Sequence, residues 1–146
     1  MISNIIILDS SVFLKQFLNE NDREIAVDFI RQKVSQDCQI MVPDLFYYEV
    51  LSVAAIHKRF EEIYEAFTYY EKNILKIIRP NIKITALARK ITEKGHNKSG
   101  FPSFYDAIYH ALAIENDCYF ITTDKKHYEK ARHLGHIKLL SQVAQL

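Results

Sequence analysis

Four consecutive aliphatic residues near the start of the chain, Ile5 to Leu8, end directly on Asp9. A short unbroken run containing β-branched residues is typical of a strand buried on both faces, as in parallel sheets. Asp9 then stands at the carboxyl end of that strand, where open α/β sheets form the crevice that binds ligands. Asp9 is therefore the first candidate for chemistry, with helix capping as the structural alternative. Ser10 and Ser11 are expected to cap a helix that begins near Val12.

The length and composition limit the number of domains and the class of protein. The chain has 146 residues, of which 49% are hydrophobic and 25% charged, and this predicts one globular domain over residues 1–146. The formal net charge of +1 creates no strong overall field. Any nucleic-acid partner must therefore be bound by a local patch of charge rather than by the protein as a whole.

The cysteines and the N-terminus favour a cytoplasmic protein. Cys38 and Cys118 lie in or beside predicted strands without metal-ligand spacing, and we expect both to be buried free thiols. The first residues carry neither the basic lead nor the small-residue cleavage site of a secretory signal, and no apolar run has the length of a membrane span.

Strand and helix patterns alternate along the rest of the chain. Each connection between strands is long enough for a crossover, which implies an α/β fold with a mainly parallel sheet and helices on both faces. After the first strand, further strands are predicted at 39–42, 74–78, 119–121 and 137–140, and helices at 12–18, 23–36, 43–58, 60–72, 82–94, 104–116 and 125–134, with a last helical turn or frayed end.

A second acidic candidate lies within the third predicted helix, which Pro43 is expected to open and Asp44 to cap. Glu49 follows Leu45 by four residues and precedes Val53 by four, so it should project from the apolar side of the helix. A carboxylate in that position must be paired or bind a cation, because an isolated buried charge is strongly penalised. The structural alternative is an ion pair with a lysine or arginine at the edge of the core.

Two more acids occupy helix beginnings. Ser103 is predicted to cap the sixth helix, which places Asp106 in its first turn, where the helix dipole favours an acid for structural reasons alone. Asp124 follows the strand at 119–121 and either caps the next helix or faces the crevice. His110, one turn after Asp106, is interpreted as a surface or packing residue rather than a catalytic base.

The third and fourth helices carry more aromatic residues than one packed face needs. They predict a helical hairpin with an exposed aromatic surface, consistent with self-association. Core packing is an equally good explanation. The aromatic residues are Tyr47, Tyr48, Tyr64, Phe67, Tyr69 and Tyr70.

Together the four acids predict a metal site. Carboxylates gathered without Lys or Arg repel one another, and a divalent cation makes such a cluster tolerable. All-oxygen ligands select Mg²⁺ or Mn²⁺ over zinc. Such ions hydrolyse phosphodiesters by polarising a phosphoryl oxygen and lowering the pKa of bound water, so the residues indicate a metal-dependent phosphoryl-transfer hydrolase.

The same segments resemble the PIN-domain nucleases, and most of all their VapC-like toxin branch. The resemblance spans nearly the whole chain in order: residues 7–12, 42–45 with Glu49-Val50, 104–107 with 111–113, and 121–125. It implies a three-layer α/β/α fold with a five-stranded parallel sheet and adjacent first and fourth strands. It also implies that Asp9, Glu49, Asp106 and Asp124 hold Mg²⁺ or Mn²⁺ for endonucleolytic cleavage of RNA, with Ser10 and Thr122 supporting the acids through hydrogen bonds. Some relatives carry another acid where this chain has Lys126-His127-Tyr128.

The resemblance further implies a small antitoxin partner and a homodimer formed through the helical hairpin. A local basic rim is expected to position RNA phosphates rather than read bases, with solvated surface lysines as the alternative. Two other functions remain open: a PIN-like nuclease of RNA processing without an antitoxin, and a non-catalytic binding module with the same fold. The rim residues are Lys94, His96, Lys98, Lys125 and Lys126.

Overall fold

A computed structural model describes residues 4–19 and 21–143. Its five strands form one parallel sheet in the order β3-β2-β1-β4-β5. The α/β fold class is confirmed, as is the adjacency of the first and fourth strands, since Leu8 pairs with Ile121. The strands are β1 (Ile5–Leu8), β2 (Gln39–Pro43), β3 (Leu75–Ile78), β4 (Tyr119–Thr122) and β5 (Ile137–Leu139).

Helices connect the strands as the sequence pattern predicted. They are α1 (Ser10–Leu14), α2 (Arg23–Ser35), α3 (Leu45–Ile56), α4 (Phe60–Asn73), α5 (Ile82–Lys94), α6 (Phe104–Glu115), α7 (Lys125–Ala131) and α8 (Leu140–Val143). A 3-10 turn, Arg132–Leu134, follows α7, and Gly135 ends it with a φ of 71°. No helix within the described ranges has the length and apolar character needed to cross a membrane.

Side chains of β4 show that both faces of the sheet are covered. Phe120 is fully buried and its ring stacks on Tyr109 of α6 at 5.2 Å. Its neighbour Ile121 points to the other face and lines a cavity there with Phe29 of α2. A strand buried on both sides lacks polar alternation, which explains the unbroken apolar runs in the sequence.

A cluster of aromatic rings fixes α1, α3 and α4 to one another. Phe13 of α1 is fully buried and contacts Phe46, Phe67 and Tyr70 at ring-centroid distances of 5.7, 6.1 and 5.0 Å. Part of the aromatic excess of the α3–α4 hairpin is therefore core packing. The remaining rings are exposed, with Tyr48, Tyr64 and Tyr69 at 72%, 42% and 60%.

The beginning of α1 differs from the prediction. The helix starts at Ser10 rather than near Val12, and its N-cap is Asp9, whose carboxylate accepts a long hydrogen bond from the Ser11 amide at 3.5 Å. Asp9 has extended backbone angles, φ −70° and ψ 145°, which is the conformation an N-cap needs. The predicted serine cap was wrong, since the acid takes that place.

The beginning of α3 also differs from the prediction. Pro43 is the last residue of β2, paired with Ile78, and does not open the helix. Asp44 was expected to cap α3, but its backbone is already helical, with φ −63° and ψ −23°, and its side chain makes no capping hydrogen bond. The structure therefore leaves the Asp44 carboxylate free of the role that the sequence suggested.

Both cysteines are free thiols, as predicted, although Cys38 is only half-buried. Burial raises the pKa of Cys118 to about 12, so this thiol stays protonated and unreactive at neutral pH. Residues 144–146, where a helical turn or frayed end was predicted, lie outside the described residues.

Candidate active site

Asp9 lies at the centre of a polar cluster at the carboxyl edge of the sheet. It follows β1, and its side chain is buried, with 7% of the residue exposed. The Thr122 hydroxyl, at the end of neighbouring β4, donates to Asp9 Oδ2 at 2.6 Å, and the Ser10 hydroxyl is 3.4 Å from Oδ1. The pairing of β1 with β4 therefore fixes the direction in which this carboxylate points.

Glu49 reaches the same cluster from α3. Its Oε1 accepts a hydrogen bond of 2.6 Å from the Tyr109 hydroxyl and lies 3.4 Å from the Ser10 hydroxyl. Ser10 thus bridges Glu49 and Asp9. The alternative prediction, an ion pair with lysine or arginine, is wrong for the described part of the chain, where Glu49 has no such partner.

Asp106 and Asp124 approach from α6 and α7. Asp106 has its side chain 30% exposed, and its Oδ2 lies 3.8 Å from Nδ1 of His127. The Asp124 carboxylate accepts from the His127 amide at 3.1 Å, which makes it the N-cap of α7 as the sequence indicated. The Asp124 amide in turn donates to the Thr122 hydroxyl at 3.1 Å, which links Asp124 to Asp9 through one side chain.

The surroundings of the cluster raise the pKa values of two of its acids. Burial, together with repulsion from Asp106, raises the pKa of Asp9 from 3.8 to about 6, although the Thr122 hydrogen bond opposes this. Burial and repulsion from Asp9 and Asp106 raise the pKa of Glu49 from 4.5 to about 7. Three of the four acids therefore repel one another across the crevice, and ionising them costs free energy.

The donor set suits a hard divalent ion, although it is not a closed chelate. Across residues 4–19 and 21–143, no three Asp, Glu, His or Cys side chains lie close enough to ligate one ion by themselves. Mg²⁺ is usually held by one or two carboxylates and keeps several water molecules. Asp9 and Glu49, which one serine hydroxyl bridges, match that requirement.

Sequence and structure comparisons place the chain among known proteins. The PIN domain profile matches residues 6–133, most of the chain. The chain belongs to the PIN domain family. A search of curated proteins found no match.

Solved structures share the fold of this PIN domain at low sequence identity. VapBC2 from Rickettsia felis, bound to a promoter DNA fragment, has a TM-score of 0.72 at 13% identity, covering 92% of this chain and 98% of that chain. VapBC-1 from nontypeable Haemophilus influenzae scores 0.70 at 17% identity, with coverage of 94% and 98%. VapC20 from Mycobacterium tuberculosis, a toxin that cleaves the sarcin-ricin loop, scores 0.62 at 13% identity, with coverage of 77% and 83%.

The predicted basic rim of the PIN domain divides into two parts. Lys125 and Lys126 are exposed and line a shallow concavity with Ser99, so the loop before α6 adjoins the start of α7. Lys94 and Lys98 are also exposed. His96 is half-buried, and its Nδ1 accepts from the amides of Lys98 and Ser99 at 3.2 and 3.1 Å, so this histidine stabilises the loop.

Two residues of the site escaped the sequence analysis. Tyr109 was not singled out, since a tyrosine within an apolar helix is typical of core packing, yet its hydroxyl is the closest partner of Glu49. His127 was noted only as part of a departure from the family pattern. Its contacts with Asp106 and Asp124 depend on how two helices pack, and the sequence carries no signal for them.

The two buried histidines give a stability prediction with opposite signs. Both ring nitrogens of His127 are buried without a hydrogen bond in the described structure. In His110 only Nδ1 is unbonded, because Nε2 lies 2.7 Å from the Gly135 carbonyl oxygen and must donate to it. Replacing His127 by Phe should raise the free energy of unfolding at pH 7 by about 1–3 kcal/mol, because two unpaired nitrogens leave the core. His110→Phe should lower it by a similar amount.

Urea denaturation of the two variants beside the wild type measures both effects. Both substitutions place the same side chain next to Phe120, whose ring lies 5.8 Å from that of His127 and 6.4 Å from that of His110. A loss of stability in His127→Phe equal to that in His110→Phe would show that the His127 ring is bonded after all.

Proposed function

We propose that this PIN domain is a Mg²⁺- or Mn²⁺-dependent endoribonuclease and the toxin of a type II toxin-antitoxin pair. The observation that carries the proposal is the convergence of Asp9, Glu49 and Asp106 from three separate elements, with raised pKa values for Asp9 and Glu49. Burying repelling carboxylates destabilises a fold, so their presence is best explained by a cation that compensates them.

In this proposal the chain's own residues hold and orient the ion. Asp9 and Glu49 would be its nearest ligands, Asp106 and Asp124 would bind its water shell, and Thr122 and Ser10 would fix the Asp9 carboxylate. When bound, the ion polarises a phosphoryl oxygen and lowers the pKa of a coordinated water. Tyr109 donates to Glu49 and keeps its carboxylate turned toward Asp9.

The substrate and partner proposals draw on the structural neighbours. The VapBC structures contain a toxin with its antitoxin, and VapC20 is a toxin that cleaves the sarcin-ricin loop, which supports RNA as substrate and a small antitoxin as partner here. The exposed tyrosines of the α3–α4 hairpin, Tyr48, Tyr64 and Tyr69, support a homodimer through that surface. Two free thiols agree with a cytoplasmic location.

Cleavage of total RNA by the purified chain tests the proposal. We expect cleavage with Mg²⁺ or Mn²⁺ and none with EDTA, and mapping of the new 5′ ends should show a small set of sites. Glu49→Gln should lower the rate at least about 100-fold, because it removes a ligand charge. Glu65→Gln, an exposed residue of α4 without a described contact, is the matched control and should cleave normally. Metal-independent cleavage would contradict the proposal.

Expression in cells tests the toxin assignment separately. Induction of the chain alone should arrest growth, and co-expression of a small protein from the neighbouring gene should restore it. Cleavage in vitro without growth arrest would instead favour a nuclease of RNA processing.

A further inference from the structure

A cavity of about 290 Å³ lies between the starts of α3 and α6. Two elements that also carry acids form its walls: α3, which continues to Glu49, and α6, which continues to Asp106. A molecule in this cavity would therefore lie next to the proposed cleavage site. The lining residues are Asp44, Leu45, Arg79, Pro80, Thr85, Phe104, Tyr105 and Ile108.

Exposed aromatic rings form one side of the cavity. Tyr105 is 67% exposed and Phe104 is 40% exposed, although both belong to a helix whose following residues, from Ala107 to Ala113, are buried. Folding gains little from rings left in water at this place. Aromatic faces on which an unpaired base can stack are a recurring feature of proteins that bind single-stranded RNA.

A carboxylate without a partner stands on the opposite side. Asp44 is half-buried and makes no capping hydrogen bond to α3, and within the described residues no ion pair reaches it. A carboxylate accepts hydrogen bonds and does not donate them. Guanine is the one RNA base that presents two adjacent donors, N1–H and the 2-amino group, and these match the two oxygens of a carboxylate.

A cation at the rim completes the set. Arg79 is exposed, lines the same cavity, and has no ion pair among the described residues. Its guanidinium can bind the phosphate attached to a base that enters the cavity. An unpaired nucleotide needs three contacts: a ring on which its base stacks, acceptors for the hydrogen-bond donors of the base, and a cation for its phosphate.

We propose that this cavity binds an unpaired guanine of the RNA substrate, stacked on Tyr105 and hydrogen-bonded to Asp44, with Arg79 on its phosphate. This subsite rests on the proposed ribonuclease function and gives it a base preference. Specificity then comes from α3 and α6, the same helices that supply Glu49 and Asp106. The RNA must be single-stranded at this position, because the Watson–Crick edge of the guanine is occupied by Asp44.

Binding of short RNAs to the full chain in EDTA tests the subsite without cleavage. The probes are fluorescein-labelled uridine octamers that carry one central guanosine, inosine, adenosine or cytidine, and the measurement is anisotropy. We expect the guanosine octamer to bind about 10-fold more tightly than the adenosine and cytidine octamers, since a good bidentate contact has that value. Inosine, which lacks the 2-amino group, should be intermediate.

Three variants separate the contacts. Asp44→Asn should remove the preference for guanosine, because the amide offers one acceptor instead of two. Tyr105→Ala should weaken binding of every octamer about 10-fold and keep the order of preference, since stacking tolerates any base. Ile25→Ala is the control: Ile25 is 41% exposed on α2 and does not line the cavity, so this variant should bind all four octamers like the wild type.

The outcomes distinguish this inference from the function it rests on. Cleavage in Mn²⁺ with equal affinity for all four octamers would overturn the subsite and leave the ribonuclease in place. A guanosine preference that Asp44→Asn removes, in a protein that cleaves no RNA, would support the subsite and contradict the ribonuclease. If neither Asp44→Asn nor Tyr105→Ala changes RNA binding, the inference is wrong, and a polypeptide becomes the better occupant of the cavity.

Discussion

Replacing Asp9 by asparagine is expected to abolish RNA cleavage and, at the same time, to make the protein more stable above pH 6. The two effects have one cause. The Asp9 carboxylate is buried and lies among other acids, so its charge is costly to the fold, and that charge is what a divalent cation needs. Asparagine keeps the shape and still accepts the hydrogen bond from Thr122.

The size and sign of the stability effect follow from the pKa of Asp9. The pKa is 3.8 in the unfolded chain and about 6 in the folded protein, so below pH 4 both forms are protonated and no cost arises. The cost grows as the pH rises from 4 to 6 and is complete above 6, where it is on the order of 2–3 kcal/mol. Asp9→Asn should gain this amount at pH 7.5 and little at pH 4.

Urea denaturation at the two pH values, without metal, measures the gain in stability, and RNA cleavage in Mn²⁺ measures the loss of activity. We expect cleavage to fall at least about 100-fold, the upper end of the effect of residues that only orient a ligand. Asp37→Asn is the matched control, because Asp37 is exposed, lies before β2 at the opposite edge of the sheet, and has a φ of 53° that asparagine also tolerates. Parental cleavage by Asp9→Asn would remove Asp9 from the site.

Two of the acids stood out in the sequence because the fold does not need their charge. Asp9 stood out because the apolar run before it needs no acid at its end, and Glu49 because its helix needs no acid on the buried side. Packing explains neither acid, and the structure brings the two together at the Ser10 hydroxyl. The sheet itself followed from the length of the apolar runs and of the connections between them.

The details that sequence did not predict depend on backbone angles and long-range contacts. Asp9 precedes α1 and Asp44 precedes α3, and from sequence each acid could cap its own helix. Only Asp9 has the extended backbone that capping needs. Tyr109 and Glu49 are 60 residues apart, and their hydrogen bond exists only because the fold brings α3 and α6 together at this point. Local patterns carry no information about such a pair.

His127 was not among the candidates from sequence, because its contacts depend on how two helices pack. Its backbone amide donates to the Asp124 carboxylate, which caps α7, while its ring lies 3.8 Å from Asp106, so one residue contacts two acids at the starts of different helices. Only the position of α7 beside the beginning of α6 creates that relation. A histidine in the first turn of a short helix gives no such indication in the sequence.

Metal affinity should depend steeply on pH, and this is the second large effect that we expect. A carboxylate must be ionised before it binds a cation, and the pKa values of Asp9 and Glu49 are raised to about 6 and about 7. At pH 8 both are ionised. At pH 5 about one Asp9 in ten and one Glu49 in a hundred are ionised, so the Mn²⁺ affinity should be about 1,000-fold lower than at pH 8.

Calorimetric titration with Mn²⁺ at several pH values between 5 and 8 measures this dependence. Two protons must leave, so the logarithm of the affinity should rise with a slope near two at the acidic end and level off above pH 7. Glu49→Gln should reduce the slope to one, whereas Glu65→Gln should keep it at two. An affinity that is constant from pH 5 to 8 would mean that the cation does not bind these two acids.

Stability gives an independent measure of the same titration. For an acid with a raised pKa, the folded protein without metal loses stability as the pH rises from the unfolded to the folded pKa, here from about 4 to 7 for Asp9 and Glu49 together. His110 acts in the opposite direction, because burial lowers its pKa to about 4 and stability rises with pH up to about 6.5. The His110 contribution cancels when the free energy of unfolding of the metal-free protein is subtracted from that of the metal-bound protein. That difference should grow with pH, since the cation offsets the cost of the ionised acids only where they are ionised.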